Sequence, residues 1–226
     1  MKVYIVTAFP EMIEAYFSES MFKKAREKGC LYYEIWDLRD FTRDKHKQID
    51  DTCYGGGAGM VLKPEPFFRA YDKLLKVSDT ETPRVLFPSP QGKTFDHSLS
   101  TKFAQEEELT FFCGHYKGVD ERVIDQLVTD EISIGDFVLT GGELPALMMI
   151  DAIIRHIPGV LHSYESAESD SFADNLLEGP IYTKPQIFRN LKVPEVLLSG
   201  NHAEIEKWRR EQRIKRTKDR RKDLFK

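Results

Sequence analysis

Short apolar runs alternate along the chain with longer segments of helical period, and this alternation constrains the fold more than any other feature. Five runs have the length and composition of buried strands: residues 3–9, 32–38, 84–88, 109–113 and 132–134. Four longer segments have helical period: residues 12–28, 66–75, 96–107 and 144–156. The alternation predicts an α/β fold with a largely parallel sheet that is covered on both faces.

Segments rich in glycine and proline follow three of the predicted strands, at residues 88–92, 114–118 and 134–145. Ligands of parallel sheets bind beyond the carboxyl ends of the strands, so three such segments in one half of the chain predict a shared pocket. None of them has the spacing Gly-x-Gly-x-x-Gly, which argues against an oxidoreductase with a dinucleotide-binding domain. A fourth glycine-dense segment, 55–59, follows a polar stretch and predicts a flexible loop that a ligand can approach closely.

The composition is that of a globular protein without a membrane span. Charged residues make up 31% of the 226 residues, and no run approaches the roughly 20 apolar residues that a membrane helix needs. Residues 3–9 favour a buried first strand over a signal peptide. Cys30, Cys53 and Cys113 match neither a disulfide framework nor a zinc spacing, so we expect a reducing cytoplasm and no structural metal.

The last part of the chain differs from the rest in charge. Residues 201–226 hold 11 Lys and Arg against 5 Asp and Glu, whereas the remainder holds 22 against 32. A basic helix predicted over 203–221 is therefore either a polyanion-binding surface or a solvated helix face. Residues 162–179 are rich in serine and acidic residues and predict a linker.

The helix predicted over 144–156 is apolar nearly all round, so we expect it to be buried in the core or against a second subunit. Its polar exceptions, Asp151 and Arg155, are four residues apart and share one face. An ion pair within the helix is the simplest interpretation of that spacing.

Several strings, taken in order over nearly the whole chain, resemble the bacterial tRNA (guanine-N1)-methyltransferase family of the SPOUT superfamily. They include residues 9–12 (FPEM), 39–42 (RDFT), 44–47 (DKHK), 54–57 (YGGG), 89–92 (SPQG), 120–122 (DER), 133–136 (SIGD), 139–145 (LTGGELP), 157–160 (IPGV), 170–173 (DSFA) and 198–202 (LSGNH).

The resemblance implies a fold, a reaction and partners. The fold would be a SPOUT-type, largely parallel α/β sheet with a deep trefoil knot and a small C-terminal helical domain. Its divisions would be a knotted domain over 1–161, a flexible linker over 162–178 and a tRNA-binding domain over 179–226. Members of the family are homodimers with the active site at the subunit interface. It transfers a methyl group from S-adenosyl-L-methionine to N1 of guanosine 37, next to the anticodon of tRNA. A magnesium requirement does not follow from the sequence.

The resemblance also implies site residues. The donor pocket would comprise Leu86, Phe87, Pro88, Pro90, Gly114, Tyr116, Ile134, Gly135, Asp136, Phe137, Val138, Leu139, Gly141, Gly142 and Pro145. Asp170 matches the family's proposed general base, and Arg155 matches the arginine that steadies the guanine oxygen. These two roles suit the chemistry, since a ring nitrogen must lose its proton and the neighbouring oxygen gains charge. Contacts to tRNA would come from Asp50, Gly55, Gly56, Gly57, Ser171, Arg209 and Arg210.

The chain departs from the family pattern in two places. Lys117 stands where the family carries an acid near the donor's amino group, so we expect Asp174 or Glu178 to take over that contact. The C-terminus is shorter than in many relatives, so some tRNA contacts are expected to be missing. Two alternatives stay open: a SPOUT enzyme acting on ribose or another RNA, and a non-catalytic RNA-binding protein, which Lys117 would favour.

Overall fold

The five runs predicted as strands form one sheet in the computed structural model, which describes residues 1–161 and 170–225. The chain divides into two units, Met1–His162 and Ser163–Lys226. In the described part of the first unit the strands are β1 (Lys2–Thr7), β2 (Tyr32–Asp37), β3 (Asp50–Thr52), β4 (Met60–Leu62), β5 (Val85–Thr94), β6 (Glu108–Phe112) and β7 (Asp130–Ser133). The helices there are α1 (Pro10–Phe17), α2 (Ser20–Glu27), α3 (Pro64–Val77), α4 (His97–Phe103), α5 (Glu121–Leu127) and α6 (Glu143–Ile154).

The main sheet has the order β2-β1-β6-β5-β7, and each neighbouring pair of strands runs parallel. Side chains of a strand alternate between the two faces of its sheet. Val3 and Ile5 of β1 pack in one apolar cluster with α1, α2 and α6, while Tyr4 and Val6 pack in a second cluster with α3 and α5. The sheet is therefore covered on both faces, which confirms the predicted α/β class.

The helix predicted over 12–28 is wrong, because this segment forms two helices. The hydroxyl of Ser18 donates to the carbonyl of Ala15 (2.9 Å) where α1 ends. Ser20 then has a φ of 52°, a left-handed conformation that cannot continue a right-handed helix. The other three predicted helices are present with shifted ends.

A short hairpin and a short helix of the first unit were not predicted. β3 and β4 pair antiparallel, so the glycine-dense segment follows a strand and lies inside a hairpin instead of following an unstructured polar stretch. Helix α5 is preceded by Asp120, whose carboxylate accepts a hydrogen bond from the Arg122 backbone nitrogen (3.1 Å). Aspartate is a common N-cap residue, so Asp120 could have indicated from the sequence that a helix begins here.

The second unit contains a hairpin of β8 (Ile187–Phe188) and β9 (Leu191–Lys192), followed by a long helix, α7 (His202–Arg220). The N-cap of α7 is Asn201, and the helix agrees with the predicted basic helix. Thr217 anchors α7, since its hydroxyl accepts a hydrogen bond from the Leu177 nitrogen (2.9 Å). The predicted linker lies partly outside the described residues, which omit 162–169. No helix of the described chain is long and apolar enough to cross a membrane.

Candidate functional site

Three glycine-rich segments of the first unit line one cavity of about 330 Å³. They belong to β5, to the loop after β6 and to the loop that joins β7 to α6. The cavity thus lies where the parallel strands end, as ligand sites of such sheets do. Its volume falls within the usual range for small-molecule sites, roughly 300–1,000 Å³.

The first segment is a bulge within β5. Ile132 of β7 is paired with both Pro88 and Lys93, so the residues between them are displaced from the ladder. The prediction that this strand ends at residue 88 is therefore wrong, because pairing resumes and continues to Thr94. A Cβ atom on Gly92 would lie 2.3 Å from the Glu131 carbonyl carbon, so this close approach requires glycine.

Glycines also hold the second and third segments together. The Gly142 nitrogen donates to the Gly114 carbonyl (2.8 Å), and His115 and Gly141 form an antiparallel bridge. A Cβ atom on Gly142 would lie 3.0 Å from the Gly114 nitrogen. The backbone of each loop thus supports the other, and neither can move away without breaking these contacts.

A buried carboxylate lies behind this junction. Glu143, the first residue of α6, is 2% exposed, and its Oε1 accepts a hydrogen bond from the Thr7 hydroxyl (2.7 Å). Its Oε2 is 3.9 Å from Nδ1 of His115, whose ring lines the cavity. Burial, together with the nearby Glu143 charge, raises the pKa of the Cys113 thiol well above its ordinary value. The carboxylate therefore joins the end of β1 to the start of α6 and lies next to His115 of the second loop.

The glycine hairpin touches the second loop. The Lys117 nitrogen donates to the Met60 carbonyl (3.0 Å), and the Leu62 nitrogen donates to Gly118 (3.0 Å). Gly59 packs so closely on the lysine stem that a Cβ atom there would be 2.8 Å from Lys117 Cγ. The hairpin and the cavity are thus parts of one connected surface.

The cavity has an apolar lip and a few charges. Phe137 and Val138 are exposed at its edge, and the Phe137 ring lies against Gly135, whose φ is 143°. Lys117, Glu121 and Glu131 are the ionisable chains lining it besides His115 and Tyr116. The cavity therefore offers apolar surface, backbone polar groups and charges of both signs.

Thirteen of the fifteen residues predicted for the donor pocket line this cavity. Leu86 does not line it, because its side chain is fully buried in the core. Asp136 does not line it either and is exposed. The structure places the other thirteen together: Phe87, Pro88, Pro90, Gly114, Tyr116, Ile134, Gly135, Phe137, Val138, Leu139, Gly141, Gly142 and Pro145.

The cavity also has lining residues that the sequence reasoning missed, among them His115, Glu121 and Glu131. Lys117, which the sequence analysis placed near the donor's amino group, lines the cavity as well. His115 lies between Gly114 and Tyr116, which were both predicted to line the pocket, so it could have been included. Glu121 and Glu131 follow from helix α5 and from the β5–β7 pairing, which no local pattern revealed.

The two predicted catalytic residues belong to different units. Arg155 is the C-cap residue of α6 and is exposed. Asp170 opens the described part of the second unit and is half-buried, and its carbonyl accepts a hydrogen bond from the Ala173 nitrogen (3.4 Å). Their catalytic roles stay predictions.

The predicted tRNA-contacting residues also lie in both units. Asp50 is half-buried in β3, and the exposed glycines 55–57 all have positive φ. Ser171 accepts a hydrogen bond from the Glu178 nitrogen (2.9 Å). Arg209 pairs with Glu206 (2.7 Å), and Arg210 is exposed.

The fold and the site define a class: an α/β protein with a small-molecule pocket at the carboxyl ends of a parallel sheet. Among the described residues, no group of three or more His, Cys, Asp or Glu is arranged so that it could hold a metal ion.

Comparisons with known proteins give the family. The model described as "tRNA (Guanine-1)-methyltransferase TrmD" matches residues 1–226. A tRNA (guanine-N(1)-)-methyltransferase of Clostridioides difficile (strain 630) is 53% identical over 226 residues, which cover 100% of this chain and 98% of the relative. Relatives with the same description from Dehalococcoides mccartyi (strain ATCC BAA-2266 / KCTC 15142 / 195) and Bacillus velezensis (strain DSM 23117 / BGSC 10A6 / LMG 26770 / FZB42) are 54% and 52% identical, each over 100% of this chain and over 90% and 93% of the relative. The chain belongs to the tRNA (guanine-1)-methyltransferase family, which confirms the predicted resemblance.

Proposed function

We propose that this protein transfers a methyl group from S-adenosyl-L-methionine to N1 of guanosine 37 in tRNA. The observation that carries the proposal is the single cavity into which thirteen of the residues implied by the family resemblance converge. The reaction would take place in the cytoplasm, in keeping with three cysteines that are all free thiols.

The cavity fits the methyl donor chemically. Glycines 114, 141 and 142 line the cavity without side chains, so a flat group such as adenine can approach the main chain there closely. The apolar lip formed by Phe137 and Val138 suits the flat face of a base. S-adenosyl-L-methionine supplies a methyl group activated by its sulfonium charge. We also propose that these loops form a trefoil knot.

The methionine end of the donor carries an ammonium and a carboxylate. Asp174, which we expected to meet the ammonium, forms an ion pair with Arg213. Glu121 and Glu131, by contrast, line the cavity. We therefore assign the ammonium to this acidic pair and the carboxylate to Lys117, so the departure from the family pattern does not require loss of activity.

Asp170 and Arg155 supply the chemistry at the guanine. Asp170 accepts the proton of N1 while the nitrogen takes the methyl group and the carbon–sulfur bond breaks, leaving a neutral thioether. Arg155 stabilises the charge that develops on the guanine oxygen. A general base typically contributes a factor of ~10²–10⁴, and a fixed donor to the oxygen about 3 kcal/mol.

Contacts to tRNA come from the second unit and from the glycine hairpin. Arg216 is occupied, because its Nη1 donates to the carbonyls of Glu178 (2.9 Å) and Gly179 (2.8 Å), and Arg213 pairs with Asp174. Arg210 and Arg209 on α7 are exposed, and the Arg209–Glu206 pair lies on the surface, so we assign phosphate contacts to these two arginines. Asp50 and glycines 55–57 complete the contact surface in the first unit, and Ser171 does so in the second.

The active enzyme is a homodimer in this proposal, and an apolar surface supports it. Met12 and Tyr16 on α1 are exposed, as are Leu144 and Met148 on α6. The Tyr16 hydroxyl reaches Asp151 (3.5 Å), so the two helices present these side chains on one surface. Apolar patches of this kind mark contact surfaces, and a two-fold dimer buries the same patch on both subunits.

A mixed dimer tests the shared active site. We expect Asp170→Ala and Arg155→Ala homodimers to be inactive, and a mixture of the two subunits to recover part of the activity, because one of its two sites is intact. A mixture as inactive as its parents would contradict the shared site. A stable monomer at micromolar concentration would contradict the dimer.

Labelled methyl transfer tests the function. A tRNA transcript with guanine at position 37 should accept the label, and the same transcript with adenine there should not. Equal labelling would contradict the proposal. Binding of the donor by calorimetry, with no transfer to either transcript, would indicate the non-catalytic alternative.

A further inference from the structure

The hairpin of the second unit is tightly built and projects a fixed pair of side chains. Arg189 and Asn190 join β8 to β9 with φ values of 47° and 67°, a two-residue turn in which both residues are left-handed. Phe188 is paired with Leu191, and Ile187 with Lys192. Directly opposed residues of an antiparallel pair share a face, so Phe188 and Leu191 point to one side and Ile187 to the other.

These apolar side chains are exposed. Phe188 is 59% exposed and Leu191 is 74% exposed, whereas no apolar residue within 170–225 is fully buried. Apolar surface held on a rigid two-residue turn is costly unless something binds it. The local charge indicates what does so.

The charged residues in the segment around the hairpin are all basic. Residues 180–194 contain Lys184, Arg189 and Lys192 and no Asp or Glu. None of these three cations forms an ion pair within the described chain. The Arg189 guanidinium lies over the Phe188 ring, 5.4 Å from its centre. The exposed Phe188 ring with Arg189 over it matches nucleic acid better than an apolar protein surface, which would leave the three cations of the segment unneutralised.

We propose that the face formed by Phe188 and Leu191, here called the hairpin platform, is an RNA contact in which Phe188 stacks on an unpaired base of the tRNA. Arg189 extends the stack with its guanidinium plane and attracts the adjacent phosphate. Aromatic and arginine side chains bind unpaired bases in this way, and the contact tolerates any base. The proposal rests on tRNA being the substrate, and it adds a contact outside the donor cavity.

Phe188 variants test the platform through tRNA affinity, measured by fluorescence anisotropy with a full-length transcript. Phe188→Ala should weaken binding roughly 5- to 150-fold, the effect of losing one base–aromatic stack. Phe188→Trp should keep the affinity, and Phe188→Leu, which keeps apolar area without a ring face, should behave like alanine. Ile187→Ala is the matched control on the opposite face and should bind normally. Arg189→Gln should lower the salt slope of binding by about one.

Two results would overturn the platform. One is normal tRNA affinity of Phe188→Ala. The other is a Phe188→Ala protein that loses affinity only because its dimer dissociates in sedimentation, in which case the hairpin contacts a second copy of this chain. Wild-type methyl transfer to guanine 37 is measured alongside: if it persists, only the platform fails, and if it is absent, the proposed function fails.

Discussion

The hydrogen bond between Thr7 and Glu143 predicts that Thr7→Val is less stable than the wild type, and the direction of the change is enough to test it. Thr7 is fully buried at the end of β1 and donates to the buried Glu143 carboxylate (2.7 Å). The same hydroxyl accepts a hydrogen bond from the Phe9 nitrogen (2.9 Å). Thr7→Val keeps the shape of the side chain and replaces the hydroxyl by a methyl group, so both hydrogen bonds are lost without a cavity.

The expected loss follows from the charge of the acceptor. A hydrogen bond to a charged group contributes about 1.5–3 kcal/mol to the free energy of unfolding. For a domain of this size 1 kcal/mol corresponds to roughly 2–4 °C, so the melting temperature should fall by roughly 3–12 °C. Donor affinity should fall as well, because Glu143 begins α6 directly after the two glycines that line the cavity.

Calorimetric unfolding of Thr7→Val, with Thr7→Ser as the control, measures the effect. Serine keeps the hydroxyl and loses only a buried methyl group, a cost of about 1 kcal/mol. If the hydrogen bond contributed nothing, burying the extra valine methyl group would leave the protein equally stable or more stable. A Thr7→Val protein that melts at or above the wild-type temperature would therefore refute the role given to Glu143.

Three further predictions concern the reaction and the sheet. Asp170→Asn should bind the donor normally by calorimetry but lose at least roughly tenfold in single-turnover rate, since only the proton acceptor is removed; a smaller loss would move the base elsewhere. Lys117→Glu should weaken donor binding in calorimetry, because it places a carboxylate against the donor carboxylate that Lys117 is assigned to hold; unchanged affinity would contradict that assignment. Burial raises the pKa of Asp130, but hydrogen bonds from Arg84 (2.9 Å) and Thr129 (2.7 Å) outweigh it and leave that pKa lowered. Asp130→Asn should thus cost about 1.5–3 kcal/mol at pH 7, and the difference from wild type should shrink as the pH falls below about 3.9; in urea titrations a difference constant down to pH 3 would contradict this.

The features that could be predicted from the sequence are those with a local pattern. β1 reads as a strand because both of its faces are apolar, and the loops of the cavity read as loops because glycine and proline interrupt the pattern. The displaced residues 89–92 could not be predicted, because they depend on Ile132 pairing twice across the sheet. The break between α1 and α2 could not be predicted either. The helical period continues across it, and the left-handed conformation of Ser20 is not one that serine signals in a sequence.

Most of the residues that line the cavity could be predicted, but the contacts that hold its loops in place could not. A glutamate that begins a helix is usually exposed, where it interacts favourably with the helix dipole. Glu143 is buried instead, against Thr7. Since Thr7 lies 136 residues earlier in the chain, no local pattern around Glu143 reveals this contact. The packing of Lys117 could not be predicted either, since its stem lies on Gly59 of a hairpin whose three-residue strands are too short to be recognised.

Nucleoside analysis of the reacted tRNA tests the central claim most directly. Full-length transcript is incubated with the wild-type protein and S-adenosyl-L-methionine, digested to nucleosides, and separated with mass detection, while a nuclease map locates the added methyl group. The account predicts 1-methylguanosine at position 37 and no other new nucleoside. A methyl group on a ribose, on another base, or on a guanosine elsewhere in the tRNA would contradict it.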